Sequence, residues 1–134
     1  MKKFNKSKVS ILFVEEDETA RLFVSTRLEV WGYRAESVST IRDAVKIAEK
    51  EKFDLILLDW YYKDGTGLEL CEMIRSFDTE TPILFYTGVA LDAKLEKAKR
   101  AGARGFIGKP IEMDEFIEAV DKHIQDHNFL GKDY

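Results

Sequence analysis

Short apolar runs alternate with amphipathic segments five times along the chain. The runs Val9 to Val14, Leu55 to Asp59 and Ile83 to Tyr86 predict buried strands, because short, continuous apolar stretches are typical of strands covered on both faces. Two weaker runs, Tyr33 to Val38 and Phe106 to Ile107, predict two further strands. The pattern therefore predicts five strands that share one sheet.

Apolar residues at helical spacing follow each predicted strand. The five stripes are Ala20, Phe23, Val24, Leu28 and Trp31; Ile41, Ala44, Val45 and Ala48; Leu68, Cys71, Ile74 and Phe77; Leu91, Leu95 and Ala98; and Met113, Phe116, Ile117, Val120 and Ile124. Ser39 is predicted as the N-cap of the second helix. Five repeats of strand and helix indicate a parallel sheet with right-handed crossovers and helices on both faces.

The composition fits one folded domain with a soluble surface. The chain has 134 residues, of which 45% are hydrophobic and 34% are charged. We place the domain at residues 1–127 and interpret 128–134 as a C-terminal tail or a truncated linker. The net charge of -4 disfavours non-specific nucleic-acid binding, which needs a basic surface. The first apolar run is too short for a secretory signal or a membrane span, so we expect a cytoplasmic protein.

Candidate site residues follow four of the predicted strands, at the end where a parallel sheet binds its ligands. They are Glu15, Glu16 and Asp17 after the first strand, Asp59 after the third, Thr87 and Gly88 after the fourth, and Lys109 and Pro110 after the fifth. Crowded carboxylates repel one another, and their hard oxygen atoms suit Mg²⁺. With a metal ion and a lysine to balance charge, one carboxylate can accept a phosphoryl group.

The motifs "ILFVEED", "DLILLD", "YTG" and "AGARGFIGKP", in this order, resemble those of receiver domains of two-component response regulators. The resemblance covers residues 9 to 125. It implies a flavodoxin-like (βα)5 three-layer sandwich, with a five-stranded parallel sheet in the order 2-1-3-4-5. It also implies a signalling domain that assists its own phosphorylation and dephosphorylation and is not a conventional enzyme.

The resemblance assigns a role to each matching position. Asp59 is the expected phosphoacceptor, with Thr87 as switch hydroxyl and Lys109 as the partner of the phosphoryl group. The other implied roles are Mg²⁺ ligands at Glu15, Glu16, Asp59 and the main-chain carbonyl of Tyr61, a cis bond between Lys109 and Pro110, and a switch aromatic at Phe106. The implied partners are a sensor histidine kinase or phosphotransfer protein and a downstream protein target. We expect a monomer or a weak homodimer through helix 4, strand 5 and helix 5, with no direct nucleic-acid or membrane contact.

Three positions depart from the family pattern. The acidic pair usually contains an Asp, whereas both residues here are Glu, so we expect weakened Mg²⁺ binding, with Asp17 as a substitute ligand. Lys63 stands where the family often has proline, which predicts a less rigid loop with an extra cation. Phe106 lacks a hydroxyl. These departures leave open an alternative function, a degenerate receiver that binds a protein without being phosphorylated.

Other interpretations of single residues also stay open. The acids after the first strand can favour a helix N-terminus, and Thr87 can satisfy the local main chain. Tyr61 and Tyr62 are either partner contacts or exposed loop aromatics. His123 and His127 are spaced as metal ligands but lack a third one, so we interpret them as surface or helix-end residues. An aspartyl-phosphate phosphatase is disfavoured, because such enzymes carry a second Asp where this chain has Tyr61.

Overall fold

The computed structural model describes residues 5–89 and 94–131. In chain order the elements are a 3-10 turn Lys6–Lys8, β1 Ser10–Val14, α1 Glu18–Val30, β2 Arg34–Val38, α2 Ile41–Lys50, β3 Leu55–Leu58, β4 Tyr61–Tyr62, β5 Gly65–Thr66, α3 Gly67–Arg75, β6 Ile83–Thr87, α4 Leu95–Ala101, β7 Gly105–Gly108 and α5 Met113–Gly131. Leu91, predicted in the fourth helix, lies outside the described residues. The backbone of α5 continues past residue 127, while the predicted domain boundary stays a prediction. No helix in the described ranges has the length and apolar character needed to cross a bilayer.

The main sheet has five parallel strands in the order β2-β1-β3-β6-β7. The antiparallel β4–β5 hairpin follows β3. When the hairpin is set aside, this is the order 2-1-3-4-5, so the predicted flavodoxin-like fold is confirmed. The register pairs Phe13 with Leu57, Leu57 with Leu84, and Leu84 with Gly105. The carboxyl ends of these strands therefore meet at one edge of the sheet.

Alternate strand residues supply two separate cores, one on each face of the sheet. Leu12 and Val14 of β1 pack with buried residues of α2, α3 and α4. Ile11 and Phe13 of the same strand pack with buried residues of α1 and α5. This alternation follows from the two-residue period of a strand. Burial on both faces explains why β1, β3 and β6 are apolar almost without interruption.

The ends of two predicted helical segments differ from the structure. The second helix is capped by Thr40, whose hydroxyl accepts a hydrogen bond from the Asp43 amide at 3.0 Å, so the prediction of Ser39 was wrong. Phe77 lies beyond the end of α3 and is exposed. Adjacent hydroxyl residues look alike to a sequence rule, and only the backbone conformation decides which one caps.

The first helix buries a narrower stripe than its sequence predicts. Val24 and Leu28 are its buried residues, whereas Phe23 and Trp31 are exposed. Residues one position apart on a helix point about 100° apart, so Phe23 cannot share the direction of Val24. Its ring instead lies 5.7 Å from the Arg27 guanidinium.

Candidate functional site: the carboxyl edge of the sheet

The aligned strand ends bring four predicted site residues together. Glu15 follows β1, Asp59 follows β3, Thr87 ends β6 and Lys109 follows β7. Hydrogen bonds and ion pairs connect all four side chains directly. These residues are distant along the chain, so the parallel register is what assembles them.

Three donors surround the carboxylate of Asp59. The Thr87 hydroxyl donates to Oδ1 at 2.7 Å, and the Trp60 amide donates to the same oxygen at 2.6 Å. The Lys109 ammonium lies 3.3 Å from Oδ2. The Asp59 side chain is nevertheless 25% exposed, so a reagent in solution can approach it. The Thr87 hydroxyl also accepts a hydrogen bond from the Val89 amide at 3.3 Å. It therefore satisfies the local main chain as well, which is the alternative role that the sequence left open for Thr87.

Lys109 is the positive charge of the site. Its ammonium lies 3.4 Å from Glu15 Oε1 and 3.3 Å from Asp59 Oδ2. It also lies 4.6 Å from the ring centroid of Tyr86, a contact that the sequence analysis missed. Burial acts to lower the pKa of Lys109, but the two carboxylates outweigh burial and raise that pKa overall. The bond from Lys109 to Pro110 is cis, as the resemblance implies.

The two glutamates after β1 take different directions. Glu15 is buried, and its Oε1 pairs with Lys109 while its Oε2 accepts from the Asp17 amide at 3.0 Å. Glu16 instead contacts the loop after β3, where its Oε1 accepts a hydrogen bond from the Lys63 amide. Arg21 donates to the main-chain carbonyls of both glutamates, at 2.8 and 3.2 Å. The acidic pair is therefore held in a split arrangement.

Asp17 has a local structural role. Its carboxylate accepts from the Ala20 amide at 2.8 Å and caps α1. This contact corresponds to the helix-terminus interpretation that the sequence left open for the acids after β1. The capping bond uses Oδ2 of Asp17, and the role of Asp17 as a substitute metal ligand stays a prediction.

The donor set fits Mg²⁺ by its chemistry. Glu15, Glu16 and Asp59 offer carboxylate oxygens, which this cation prefers. Within residues 5–89 and 94–131, no group of three or more His, Cys, Asp or Glu residues is arranged to hold a metal ion. Lys109 lies between Glu15 and Asp59, and Glu16 is bonded to the loop. Magnesium binding therefore stays a prediction.

The loop after Asp59 forms the β4–β5 hairpin, which is tied to its surroundings. Asp64 accepts hydrogen bonds from the amides of Ile41 and Arg42, both at 3.2 Å, and so caps α2 from outside. Gly67 packs directly beneath Asp59, since a Cβ at that position would lie 2.0 Å from the Asp59 carbonyl oxygen. These contacts fix the course of the hairpin in the structure, and the lower rigidity expected from Lys63 stays a prediction.

The two tyrosines of the hairpin differ in environment. Tyr61 is 59% exposed, and its hydroxyl accepts from the Lys94 ammonium at 3.1 Å. Tyr62 is only 8% exposed, so both interpretations that the sequence left open are wrong for it. Its hydroxyl accepts from the Asp59 amide at 2.6 Å and donates to the Val14 carbonyl at 2.9 Å. The two-residue strand is too short for side-chain alternation to have predicted this difference from the sequence.

A row of aromatic rings leads from Asp59 to Phe106. Trp60 lies 5.0 Å from Phe85 between ring centroids, and Phe85 stacks on Phe106 at 5.5 Å. The Lys94 ammonium lies 5.3 Å from the Trp60 ring. Phe106, the predicted switch aromatic, is thus packed against Phe85, which in turn contacts Trp60 beside Asp59.

No metal site that includes His123 is found among the described residues. His123 is half-buried against β7, where a Cβ at Gly105 would lie 3.0 Å from His123 Cε1. Burial lowers the pKa of His123. The side chain of His127 lies outside the part of the structure that is described. His123 is thus a surface residue of α5 that is partly covered by β7.

Comparisons with known proteins match this fold along most of the chain. The receiver domain of *Leptospira biflexa* HemR, in its non-phosphorylated form, is 36% identical, with a TM-score of 0.82, and the alignment covers 87% of this chain and 94% of that one. A CheY-like receiver domain protein from *Methanospirillum hungatei* is 26% identical, with a TM-score of 0.87, and coverage is 92% and 98%.

Relatives by sequence carry the same domain in different settings. The polar-differentiation response regulator DivK of *Brucella anthropi* is 26% identical over 119 residues, which cover 87% of this chain and 97% of DivK. The transcription factor SKN7 of *Candida albicans* is 30% identical, but this chain spans only 21% of its length. The model of the family described as response regulator receiver domain matches residues 11–121. The chain therefore belongs to the response regulator receiver domain family of two-component signalling proteins.

Proposed function

We propose that this chain is a phosphorylation-operated switch whose acceptor is Asp59. The observation that carries the proposal is the Asp59 carboxylate held between the Thr87 hydroxyl and the Lys109 ammonium. The carboxylate is fixed by hydrogen bonds yet partly open to solvent. That combination suits a nucleophile that must meet a phosphoryl donor carried by another molecule.

In the proposed reaction, an Asp59 carboxylate oxygen attacks the phosphorus atom of a phosphohistidine. The new oxygen–phosphorus bond forms as the phosphorus–nitrogen bond breaks, and the imidazole leaves with the electron pair. Lys109 and Thr87 then balance the added negative charge, as preorganised donors do in phosphoryl transfer. A sensor histidine kinase or phosphotransfer protein would supply the phosphoryl group.

Magnesium, when bound, would neutralise part of the charge on the transferring oxygens. Glu15, Glu16, Asp59 and the Tyr61 carbonyl are the residues that would hold it. The longer Glu side chains and the bond from Glu16 to the Lys63 amide favour weak binding. We accordingly expect a higher magnesium requirement than a site with an Asp in the pair would show.

The switch would operate when Thr87 exchanges its contact with the Asp59 carboxylate for a contact with the phosphoryl group. A phosphoryl group shifts a conformational equilibrium only by differential free energy, and Thr87 and Lys109 are the groups that would supply it. The row of Trp60, Phe85 and Phe106 supports a route from the site to the surface of α4, β7 and α5. That surface would bind a downstream protein, or a second copy of this chain weakly, in the cytoplasm.

A protein-binding module that works without phosphorylation is the second candidate. The observation that favours it is the ion pairing of Lys109 with both Glu15 and Asp59, which offsets part of the negative charge of these two carboxylates within the protein itself. In that case the carboxyl edge would be a constant surface. No catalytic step would then involve Asp59.

Tryptophan fluorescence distinguishes the two candidates. The chain has two tryptophans, Trp31 and Trp60, so Trp31→Phe isolates the signal of the residue beside Asp59. We expect that signal to change with Mg²⁺ and again with beryllium fluoride, a phosphoryl mimic. Absence of both responses would favour the binding module. Turnover of phosphate monoesters by the purified protein would instead support an aspartyl-phosphate phosphatase.

A further inference from the structure

Tyr62 connects the ends of two neighbouring strands at the proposed phosphorylation site. Its hydroxyl accepts a hydrogen bond from the Asp59 amide at 2.6 Å and donates one to the Val14 carbonyl at 2.9 Å. Val14 is the last residue of β1, and Asp59 comes directly after β3. The phenol therefore links the main chain of the acceptor residue to the strand that carries the acidic pair.

The link lies just past the point where the two strands pair with each other. The last register pair of β1 with β3 is Phe13 with Leu57. Beyond that pair, the Tyr62 hydroxyl accepts a hydrogen bond from the Asp59 amide and donates one to the Val14 carbonyl. Buried amides and carbonyls need such partners, so the hydroxyl stabilises this particular separation of the strand ends.

A second tie runs beside the first. The Lys63 amide donates to Glu16 Oε1, so two successive residues of the hairpin segment contact the segment that starts at Val14. The ring of Tyr62 is buried, which leaves its hydroxyl little freedom to move. Together the two ties set the position of Asp59 relative to the glutamates.

The hydrogen-bonding capacity of a phenol suits this role. A phenol hydroxyl donates one hydrogen bond and accepts others. The Tyr62 hydroxyl uses both capacities, since it donates to the Val14 carbonyl and accepts from the Asp59 amide.

We infer that Tyr62 is a positioning residue for phosphorylation, whose hydroxyl holds the main chain of Asp59 against the end of β1. The inference rests on the proposed function, since it concerns the rate at which Asp59 accepts a phosphoryl group. Small displacements of a reacting group slow a reaction strongly. Tyr62 need not touch the phosphoryl donor to have this effect.

Tyr62→Phe removes the hydroxyl and keeps the ring, and Tyr33→Phe is its matched control. The control removes another buried tyrosine hydroxyl, which donates to the Asp121 carboxylate and belongs to no part of the site. Labelling by acetyl phosphate with Mg²⁺, followed by intact mass over a range of donor concentrations, gives a maximal rate and a half-saturating concentration. We expect Tyr62→Phe to lower the maximal rate about tenfold at an unchanged half-saturating concentration, and Tyr33→Phe to match wild type.

The outcomes separate this inference from the proposed function. Equal maximal rates for wild type and Tyr62→Phe, with circular dichroism showing both folded, would overturn the positioning role alone. Absence of labelling in wild type would overturn the proposed function and this role with it. A loss in Tyr62→Phe that only follows its folded fraction would also contradict the inference, because a purely structural role predicts that result.

Amide hydrogen exchange in the wild-type protein tests the contact without a variant. We expect the Asp59 amide to be protected from exchange, and to exchange faster in Tyr62→Phe while the amides of β6 keep their rates. Exchange of the wild-type Asp59 amide at the rate of an unstructured peptide would overturn the inference, whether or not Tyr62→Phe folds.

Discussion

The candidate site has two halves, an acceptor half made of Asp59, Thr87 and Lys109 and an acidic half made of Glu15 and Glu16. The two halves differ in the partners that their side chains contact. In the acceptor half, Thr87 and Lys109 both contact the carboxylate of Asp59. In the acidic half, Glu15 joins that cluster while Glu16 bonds to the main chain of the hairpin. Both halves lie on the same sheet edge, so topology alone does not explain the difference.

Position along the chain accounts for the contrast, since Glu15 and Glu16 have side chains of equal length. The register of a parallel sheet fixes where each Cα lies, and each glutamate meets the partner beside its own position. Glu15 reaches Lys109, whereas Glu16 accepts a hydrogen bond from the Lys63 amide. The comparison shows that a fold can place two identical residues at one site while the neighbouring groups decide which contact each charge makes.

The largest expected effect comes from removing the cation of the acceptor half. Lys109→Gln leaves the carboxylates of Glu15 and Asp59 facing each other without a balancing charge, and it removes charge stabilisation from the transferring group. We expect the rate of acetyl phosphate labelling to fall about a hundredfold. Lys63→Gln is the control, because Lys63 contacts Glu16 through its main-chain amide. Similar rates in both variants would show that Lys109 has no special role.

A smaller loss should follow from removing the Thr87 hydroxyl. Thr87→Val keeps the shape of the side chain but deletes the donor to Asp59 Oδ1. A hydrogen bond to a charged group contributes about 1.5–3 kcal/mol, so we expect labelling to slow by about tenfold or more. Thr87→Ser restores the donor and should recover most of the rate. If the serine variant stays as slow as the valine variant, the hydroxyl is not the group that matters.

The acidic half should respond to shortening in opposite ways at its two positions. Glu16→Asp cannot reach the Lys63 amide as Glu16 does, so its carboxylate becomes available and Mg²⁺ affinity should rise several-fold. Glu15→Asp withdraws a carboxylate from Lys109 without freeing one from the loop, and should give no such gain. Titration with Mg²⁺, followed by Trp60 fluorescence in the Trp31→Phe background, measures both. Equal affinities in the two variants would remove the distinction between the glutamates.

The smallest effect concerns stability at alkaline pH. The pKa of Lys109 is raised in the folded protein above its usual value of 10.5. Its contribution to the free energy of unfolding is therefore fully present below 10.5 and is lost as the pH rises through the higher folded-state pKa. Urea unfolding at neutral and strongly alkaline pH should show a steeper decline for wild type than for Lys109→Gln. Parallel declines would mean that the two carboxylates do not stabilise the ammonium.

Much of the architecture could be predicted from local patterns. The apolar runs that end at Val14 and Asp59 indicated strands because burial on both faces demands uninterrupted apolar residues. The strand order was implied by the resemblance, since periodicity says nothing about neighbours in a sheet. Asp59, Thr87 and Lys109 were then expected at one edge, and the structure brings them into contact.

Side-chain detail could not be predicted in the same way. The burial of Tyr62 depends on a two-residue strand in a hairpin too short to give a periodic signal. The direction of Glu16 depends on an amide of the same hairpin. The cap at Thr40 depends on backbone angles that two adjacent hydroxyl residues do not reveal. Each of these features is decided by the folded geometry around a single hydrogen bond, which the sequence pattern does not show.

Intact mass after treatment with acetyl phosphate and Mg²⁺ tests the central claim most directly, with wild type, Asp59→Asn and Asp64→Asn compared. Asp64 is the matched control because it lies in the same loop but is exposed and caps α2. The account predicts one added phosphoryl group on wild type and on Asp64→Asn, and none on Asp59→Asn. Equal labelling of Asp59→Asn and wild type would contradict it and place the acceptor elsewhere.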